Sequence, residues 1–443
     1  MKIWKIIVCM LILFVWVLPI QGHAEEALCG PDATWHFEDG TLTISGTGKV
    51  ILTPWQDLPI KHLVVEEGIT DLPRNAFQNC SQLSTATLPG TLTNISENTF
   101  YNCRNLTSVR LSEGLISIGS YAFYNTNLRS ITIPDTVTTI DSSAFSACSY
   151  LRTVHFSSQL EVIGEFAFDE CEQLTQIQLP DSLREIHRYA FSQCASLEEI
   201  ALPPLVTTLQ EGLFAGCRNL RSITLSPNTV TIDMGVFTGC EKLKSLTIPP
   251  TVEFLSISYS NLEEIHISDL AAWCTMELYD YSNEGLSNVA IYHNGQLLTD
   301  LVVPAGLTYI HAFAFYQYSY LESVILPEGV MFIGTSAFRG CKKLTTVTLP
   351  RSLRNVGDYA ISDCPRLQTV IFNGTREQIQ YLKIHNQSNQ ELLNAQWILG
   401  DYGMGDAAAH GMLLGSLILL LLQLGTSITC LVIFLYQKSH PYG

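Results

Sequence analysis

Cysteine is the residue type in this sequence whose spacing first suggests chemistry. The chain contains 13 cysteines, and nine occupy one position of a repeated segment, 23 residues apart in neighbouring copies: Cys80, Cys103, Cys148, Cys171, Cys194, Cys217, Cys240, Cys341 and Cys364. Zinc sites use close C-x2-C pairs, which this spacing lacks, so neither a metal nor another cofactor is expected. One thiol per repeat is typical of a small buried side chain, and Thr126 and Tyr318 replace it in two copies. We therefore expect free, buried thiols.

The other cysteines lie outside the repeated position. Cys9 and Cys430 fall in apolar segments near the two ends of the chain, whereas Cys29 and Cys274 lie between those segments. Because a secreted chain meets oxidising conditions, a disulfide between Cys29 and Cys274 is an alternative to two free thiols.

The histidines and paired acids do not form a catalytic set. His155 and His266 occupy outward positions of different predicted strands, and His293 lies beside a turn. Glu199 and Glu264 each follow another glutamate, but adjacent strand residues point to opposite faces, so neither pair forms a catalytic couple. The sequence contains no phosphate loop, H-E-x-x-H or G-x-S-x-G motif. No catalytic residue is assigned, and an enzyme is not expected.

All these residues must be positioned by a repeat whose clearest copy runs from Leu128 to Leu151. Its phenylalanine recurs in steps of 23 residues, with one step of 22 and one break, at Phe77, Phe100, Phe123, Phe145, Phe168, Phe191, Phe214, Phe237, Phe315 and Phe338. A period in the twenties with leucines and a strand-like start is the signature of a leucine-rich solenoid. We predict an α/β, β-rich solenoid, in which a right-handed array of short parallel strands encloses these phenylalanines.

Each copy of the repeat contains three apolar segments. The first has the pattern L-x-x-I-x-L, whose alternating end predicts a short strand with one buried face. A proline such as Pro134 or Pro180 often follows, and its missing N–H and fixed φ end the strand. The V-x-x-I and A-F-x-x-C segments are predicted to fill the interior.

The array is expected to lie between capping segments. A hairpin signal at Asp39-Gly40 indicates an N-terminal β-hairpin cap, and helix starts are predicted at Asp269 and Thr375. The sequences around Leu286 and Leu392 resemble each other, so we interpret the middle block as a helical cap that bridges two arrays. The predicted divisions are an N-terminal cap at 25–59, arrays at 60–267 and 301–372, an interrupting block at 268–300 and a C-terminal cap at 373–399.

Both ends of the chain carry predicted targeting segments. Residues 1–24 combine two lysines, an apolar run and small residues at the cleavage position, as a secretory signal peptide does, although an uncleaved anchor is the alternative. Residues 412–436 carry no charge, and at about 1.5 Å per residue they can cross a hydrocarbon core of about 30 Å. A buried core helix is the alternative there. We expect a linker (400–411), a single-pass transmembrane helix in the lipid bilayer of the cell membrane, a cytoplasmic tail (437–443) and an N-terminal ectodomain outside.

The charge balance excludes one class of partner. The formal net charge is -17, and no basic run offsets it. Such a chain is unsuited to phosphate backbones, so nucleic-acid binding is not expected. Hydrophobic residues make up 47% of the chain and charged residues 15%, which fits a packed ectodomain with membrane segments better than a disordered chain.

Two predicted surfaces carry candidate ligand-binding residues. The outward strand positions are mostly threonine and serine, which suit an exposed strand without recognising a ligand. The residues that depart from this pattern are Arg110, His155, Gln178, Glu199, Glu264 and His266. The interrupting block offers a competing, aromatic surface with Trp273, Tyr279, Tyr281 and Tyr292. Packing in the core or a cap is the alternative interpretation of these rings.

The motif I-P-x-x-V-x-x-I-x-x-x-A-F-x-x-C-x-x-L, from Ile133 to Leu151, resembles the BspA-type leucine-rich repeat surface proteins of bacteria and protists. The resemblance covers about three-quarters of the chain. Residues 267–274 and 39–48 also resemble segments that accompany such arrays in gut-bacterial members. The resemblance implies a secreted or surface-anchored binding or adhesion protein, and it brings no catalytic residues with it.

These observations favour a cell-surface leucine-rich repeat protein whose ectodomain mediates adhesion by binding an extracellular protein or glycan. A non-catalytic structural spacer of the cell envelope is the alternative, because the threonine-rich face carries little recognition chemistry. An envelope enzyme is the third and least favoured interpretation.

Overall fold

The computed structural model describes residues 25–279, 286–385 and 388–400. Within them the chain forms a parallel β-solenoid, in which the start of each repeat and its V-x-x-I segment contribute to two separate ladders of strands. The predicted signal peptide, transmembrane helix (412–436) and tail lie outside these residues, as does the predicted linker after Gly400. Among the described residues, no helix is both long enough and apolar enough to span a bilayer.

The first ladder is built from the strand that opens each repeat. Neighbouring strands pair in parallel one repeat apart, for example Ile131 beside Val154. Its strands are Thr41–Lys49, His62–Val65, Thr85–Thr87, Ser108–Arg110, Ser130–Thr132, Thr153–His155, Glu199–Ala201, Ser222–Thr224, Ser245–Ile248, Glu264–Ile267, Ala290–His293, Asp300–Val302, Ser323–Ile325, Thr346–Leu349, Thr369–Phe372 and Gln396–Leu399.

The second ladder is built mainly from the V-x-x-I segment. Ile140 lies between Ile118 and Ile163 in this ladder, and all three are buried. Its strands are Ile69–Asp71, Asn94–Ile95, Ser117–Ile118, Thr139–Ile140, Val162–Ile163, Glu185–Ile186, Thr208–Leu209, Thr231–Ile232, Phe254–Ser256, Glu277–Tyr279, Tyr309–Ile310, Phe332–Ile333, Asn355–Val356 and Lys383–Ile384.

Between the two ladders, the repeat phenylalanines form a continuous stack. Consecutive rings lie nearly parallel, at angles of 16° or less, with centroids 5.1 to 6.1 Å apart, along Trp55, Phe77, Phe100, Phe123, Phe145, Phe168, Phe191 and Phe214. Phe315 and Phe338 repeat the arrangement at 5.4 Å in the second array. The predicted core position is confirmed, because every repeat phenylalanine is at most 2% exposed.

The predicted N-terminal hairpin is present. Strands Glu25–Leu28, Asp32–Glu38 and Thr41–Lys49 pair antiparallel, and Asp39 and Gly40 form the turn with φ of 49° and 79°. Trp35 meets Trp55 edge to face at 6.2 Å, and Trp55 stacks on Phe77. The aromatic stack therefore begins one ring earlier than the repeat phenylalanines indicate.

Each turn bends twice through the left-handed region of backbone space. The bends lie two residues before and two after the repeat phenylalanine, as at Asn75 and Asn79 around Phe77, both with φ near 60°. Asparagine and glycine occupy several of these positions and adopt this conformation most readily. The chain also places bulky residues there, including Tyr121 at φ 56°.

The two non-repeat blocks share one plan and extend both ladders. Helix Leu270–Thr275, which Asp269 caps through its carboxylate, leads into Glu277–Tyr279 of the second ladder and then Ala290–His293 of the first. Helix Arg376–Ile379, with the predicted capping box at Thr375, leads likewise into Lys383–Ile384 and, after helix Gln390–Asn394, into Gln396–Leu399.

The middle block therefore extends the solenoid before the hydrogen-bonded ladders restart. The first ladder ends there in the predicted hairpin, where Asn294 and Gly295 turn the chain from Ala290–His293 into Gln296–Leu297. One hydrophobic core nevertheless runs through the block, from Cys29 to Leu392.

Replacing Phe145 with alanine is expected to destabilise the turns on either side by about 3–5 kcal/mol, because its ring is buried and stacks on both neighbours. Thr132→Ala, on the exposed side of the first ladder, should change stability by less than about 0.5 kcal/mol. Amide hydrogen exchange, read turn by turn, measures both effects. Equal losses for the two variants would contradict the role assigned to the aromatic stack.

Candidate functional site

The outward side chains of the first ladder form the strand face. Arg110, His155 and Glu199 are exposed on their strands, as predicted. Their turns are separated along the solenoid, so these residues do not form one compact site. Two smaller groups on this face do bring polar side chains together.

The first group surrounds a cleft of about 510 Å³, the strand-face cleft. The first ladder is reduced here to isolated bridges from Gln176 to Thr153 and to Glu199, between two regular strands. The side chains of His155 and Gln178 both line the cleft, so the structure joins two of the predicted binding residues. The full lining is Val154, His155, Phe156, Ser158, Gln178, Leu179, Pro180, Asp181 and Ser182.

The second group forms where the first array meets the middle block. The His266 ring stacks on Tyr292 with centroids 5.0 Å apart and planes 13° apart. Its Nε2 lies 3.2 Å from Oε2 of Glu264 on the same strand. His266 and Tyr292 are direct partners on paired strands. The two surfaces predicted as competing sites therefore meet at this point.

Trp273 is the clearest correction to the predicted binding residues. It is only 2% exposed, and its indole N–H donates to the carbonyl of Ala314 at 3.0 Å. Trp55 makes the same bond to Ala76, at 2.9 Å, at the start of the first array. Each tryptophan thus binds the residue that precedes an array's first phenylalanine, and Trp273 is a packing residue.

The two remaining predicted residues of the block can be placed only in part. Tyr279 ends the strand Glu277–Tyr279, and Tyr281 lies outside the described residues. Neither is therefore assigned to the contact between His266 and Tyr292.

The repeat thiols donate hydrogen bonds between turns. Sγ of Cys171 donates to the carbonyl of Phe145 one turn earlier, at 3.3 Å, and seven further cysteines repeat this bond at 3.0 to 3.4 Å: Cys103, Cys148, Cys194, Cys217, Cys240, Cys341 and Cys364. Thr126 and Tyr318, which replace cysteine, also carry hydroxyl donors there; the Tyr318 hydroxyl reaches the Leu298 carbonyl at 2.8 Å. Cys29 and Cys274 are buried free thiols.

Burial also suppresses the reactivity of these thiols. It raises the pKa of Cys80 to about 11 and the pKa of Cys240 to about 12, because a thiolate loses its hydration inside the protein. The neutral thiol is the form that donates to a carbonyl. Among the described residues, no group of three or more histidine, cysteine or acidic side chains is arranged to hold a metal ion. The thiols serve packing and hydrogen bonding.

The fold is a leucine-rich repeat solenoid with a polar cleft on its strand face. Residues 56–152, 138–266 and 287–394 match the BspA type leucine rich repeat region, in six copies. The chain belongs to this family of leucine-rich repeat proteins, which are generally non-enzymatic. No curated protein matches the sequence.

Two solved structures are similar to this chain at low sequence identity. A leucine-rich repeat protein from Bacteroides ovatus is 21% identical, with a TM-score of 0.51, over 84% of this chain and 99% of its own. A leucine rich cell surface protein from Faecalibacterium prausnitzii is 21% identical, with a TM-score of 0.41, over 82% of this chain and 98% of its own. The Bacteroides likeness supports the solenoid fold alone.

Trp273→Phe is expected to lower the free energy of unfolding by about 1–2 kcal/mol more than Trp35→Phe does, because it leaves the buried Ala314 carbonyl without its donor. The indole nitrogen of Trp35 is buried and has no hydrogen-bond partner among the described residues, which makes it the matched control. Urea unfolding followed by circular dichroism measures the difference. Equal effects would show that the Trp273 hydrogen bond contributes nothing.

Alkylation by iodoacetamide should be slow for the repeat thiols of the folded protein at about pH 8, since their raised pKa values leave little thiolate at that pH. Cys80, the most exposed of them at 8%, should react first as the pH approaches its pKa of about 11. Peptide mass spectrometry measures each site. An intact mass lower by two hydrogens per cysteine pair would instead show disulfides.

Proposed function

We propose that this chain is a cell-surface protein that binds an extracellular protein or glycan through the strand face of its solenoid. The observation that carries the proposal is the strand-face cleft, which His155 and Gln178 both line. The rest of the strand face is mostly threonine and serine. Membership of a leucine-rich repeat family supports a binding role over a catalytic one. The predicted signal peptide and transmembrane helix support an anchored ectodomain.

The chemistry of the cleft suits hydrogen-bonded recognition. His155 contributes an imidazole, Gln178 an amide and Asp181 a carboxylate, while Ser158 and Ser182 add hydroxyls at the rim. These groups offer both donors and acceptors within one depression. Polar loops of a protein and hydroxyl-rich glycans both present the complementary groups.

The contact between His266 and Tyr292 extends this surface. It lies five strand positions beyond His155, which at about 4.8 Å per strand is about 24 Å along the ladder. Tyrosine and histidine rings combine apolar area with hydrogen bonding, a pairing common at binding surfaces. A ligand that contacts both groups must therefore be extended along the array.

A structural spacer is the competing function. The observation that favours it is that most outward positions between these groups are threonine or serine. Short β-branched side chains stabilise an exposed strand without recognising a partner. A spacer requires no particular residue in the cleft, whereas a binding protein does. The two functions therefore differ in their response to substitutions there.

The double variant His155→Ala with Gln178→Ala should weaken ligand binding by at least about tenfold, or about 1.4 kcal/mol, because it removes two hydrogen-bonding groups from the cleft. Thr132→Ala with Thr224→Ala, on the same face, is the control and should bind normally. Binding of the purified full-length chain to panels of matrix proteins and glycans provides the measurement. If no ligand is found, or if binding and surface behaviour are unchanged in the double variant, the spacer is favoured.

A further inference from the structure

A second surface of the solenoid, away from the strand face, carries five aromatic rings, of which one is exposed and four are half-buried. We call this surface the turn-face patch, and each of its rings lies within two residues of a repeat phenylalanine: Tyr101, Tyr121, Tyr124, Phe166 and Tyr189. Tyr101 stacks on Tyr124 at 4.9 Å, and Tyr121 meets both edge to face at 6.4 and 5.8 Å. Phe166 stacks on Tyr189 at 5.0 Å. The five rings therefore form two groups, separated by the turn of Phe145, which carries Ser143 and Ser146 at these positions.

Three of these rings occupy a left-handed backbone position that the repeat fills with several residue types. Tyr121, Phe166 and Tyr189 lie two residues before the repeat phenylalanine, with φ between 56° and 57°. Among the described turns, asparagine, serine or glycine occupies the equivalent position in six others, and an aromatic ring occupies it at Phe313 and Tyr359. A bulky residue in the left-handed region costs roughly 1 kcal/mol or more. Tyr121 is nevertheless 40% exposed, so core burial does not account for its ring.

Polar groups beside the rings add hydrogen-bonding capacity. The side-chain amides of three successive turns form a chain, in which Asn125 donates to Asn102 at 2.8 Å and Asn102 donates to Asn79 at 2.9 Å. The next turn carries Ala147 at this position, so the chain ends at Asn125. Among the described residues, the carbonyl oxygen of the Asn125 side chain has no partner. It is an available acceptor one residue from the Tyr124 ring.

The electrostatics of the patch restrict the class of ligand. Burial, then neighbouring phenols and the carboxylates of Glu170 and Asp169, raise the pKa of Tyr124, so its hydroxyl stays protonated at neutral pH and can donate. The Tyr189 hydroxyl donates to Glu211 at 2.9 Å. Glu165 and Glu211 are paired with Arg188, whereas the carboxylates of Asp169 and Glu170 repel sulfated or sialylated chains. A neutral ligand is therefore favoured.

We propose that the turn-face patch binds a neutral oligosaccharide. The electron-rich faces of the phenol rings attract the polarised C–H groups of a pyranose, and the amide and hydroxyl groups bond to its hydroxyls. From Tyr101 to Tyr189 the patch extends about 21 Å, given ring spacings of 5.3, 5.1, 5.2 and 5.5 Å along the core stack. That length suits several sugar units. This site is separate from the strand face and adds to the proposed function.

The test uses two substitutions that the repeat itself accommodates. Tyr121→Asn places at this position the residue found at Asn98, and Tyr124→Ser places the residue found at Ser146. The double variant should fold, because both introduced residues occur at equivalent positions of other turns. Tyr259→Asn is the matched control, since Tyr259 is also exposed, at 58%, with φ of 59°.

Calorimetric titration of the full-length chain with cello-, xylo- and mannohexaose measures binding, with a sulfated heparin hexasaccharide for comparison. At least one neutral hexasaccharide should bind, at least about tenfold more weakly to the double variant and unchanged to Tyr259→Asn. His155→Ala with Gln178→Ala should leave this binding intact, which separates the patch from the strand face.

Several results would overturn the proposal. Neutral saccharides could all fail to bind, the double variant could bind as well as the natural chain, or the sulfated saccharide could bind as tightly as the neutral ones. Loss of binding to a protein ligand, with saccharide binding unchanged, would assign the patch to protein recognition instead.

Discussion

The structure depends on the contact between each turn of the solenoid and the next. A single turn cannot bury its own apolar face, so its phenylalanine must stack on the rings before and after it at 5.1 to 6.1 Å. Two ladders of strands and a row of thiol-to-carbonyl bonds cross the same interface. Residues that point inward are therefore nearly invariant along the array. A change in one turn alters the packing of both neighbours.

The outward positions are free of this constraint, and their polar and aromatic side chains come together at three places on the first array and the middle block. The strand-face cleft forms where the first ladder shrinks to isolated bridges at Gln176. The His266 contact forms where the middle block contributes Tyr292. Aromatic rings of the turn-face patch occupy backbone positions that asparagine or glycine would fill at lower cost. The scaffold thus sets the spacing of the turns, and the outward side chains differ from turn to turn.

The two non-repeat blocks show how the same scaffold is closed and restarted. Each follows a four-residue strand with a short capped helix and returns strands to both ladders. Trp273 donates a hydrogen bond to the alanine that precedes the first phenylalanine of the second array, as Trp55 does at the start of the first array. Trp55 and Trp273 are therefore equivalent, although the segments around them share little sequence. The equivalence explains why Trp273, which lies outside the repeat, is buried.

The sequence by itself determined the solenoid, its phenylalanine core and its thiol positions, because the contact between one turn and the next recurs with the period of the repeat. It also determined the hairpins at Asp39 and Asn294 and the helix starts at Asp269 and Thr375, because each of these depends on a few adjacent residues. Only the tertiary structure decided which outward residues share a surface. Because neighbouring turns stack, Gln178 lines the same cleft as His155, and Tyr292 stacks on His266. Trp273 instead points inward and donates to the carbonyl of Ala314, 41 residues away. The contact between Tyr101 and Tyr124 is likewise decided by the tertiary structure. The two residues are one repeat apart in sequence, and their rings lie 4.9 Å apart because the ladders set the register between turns.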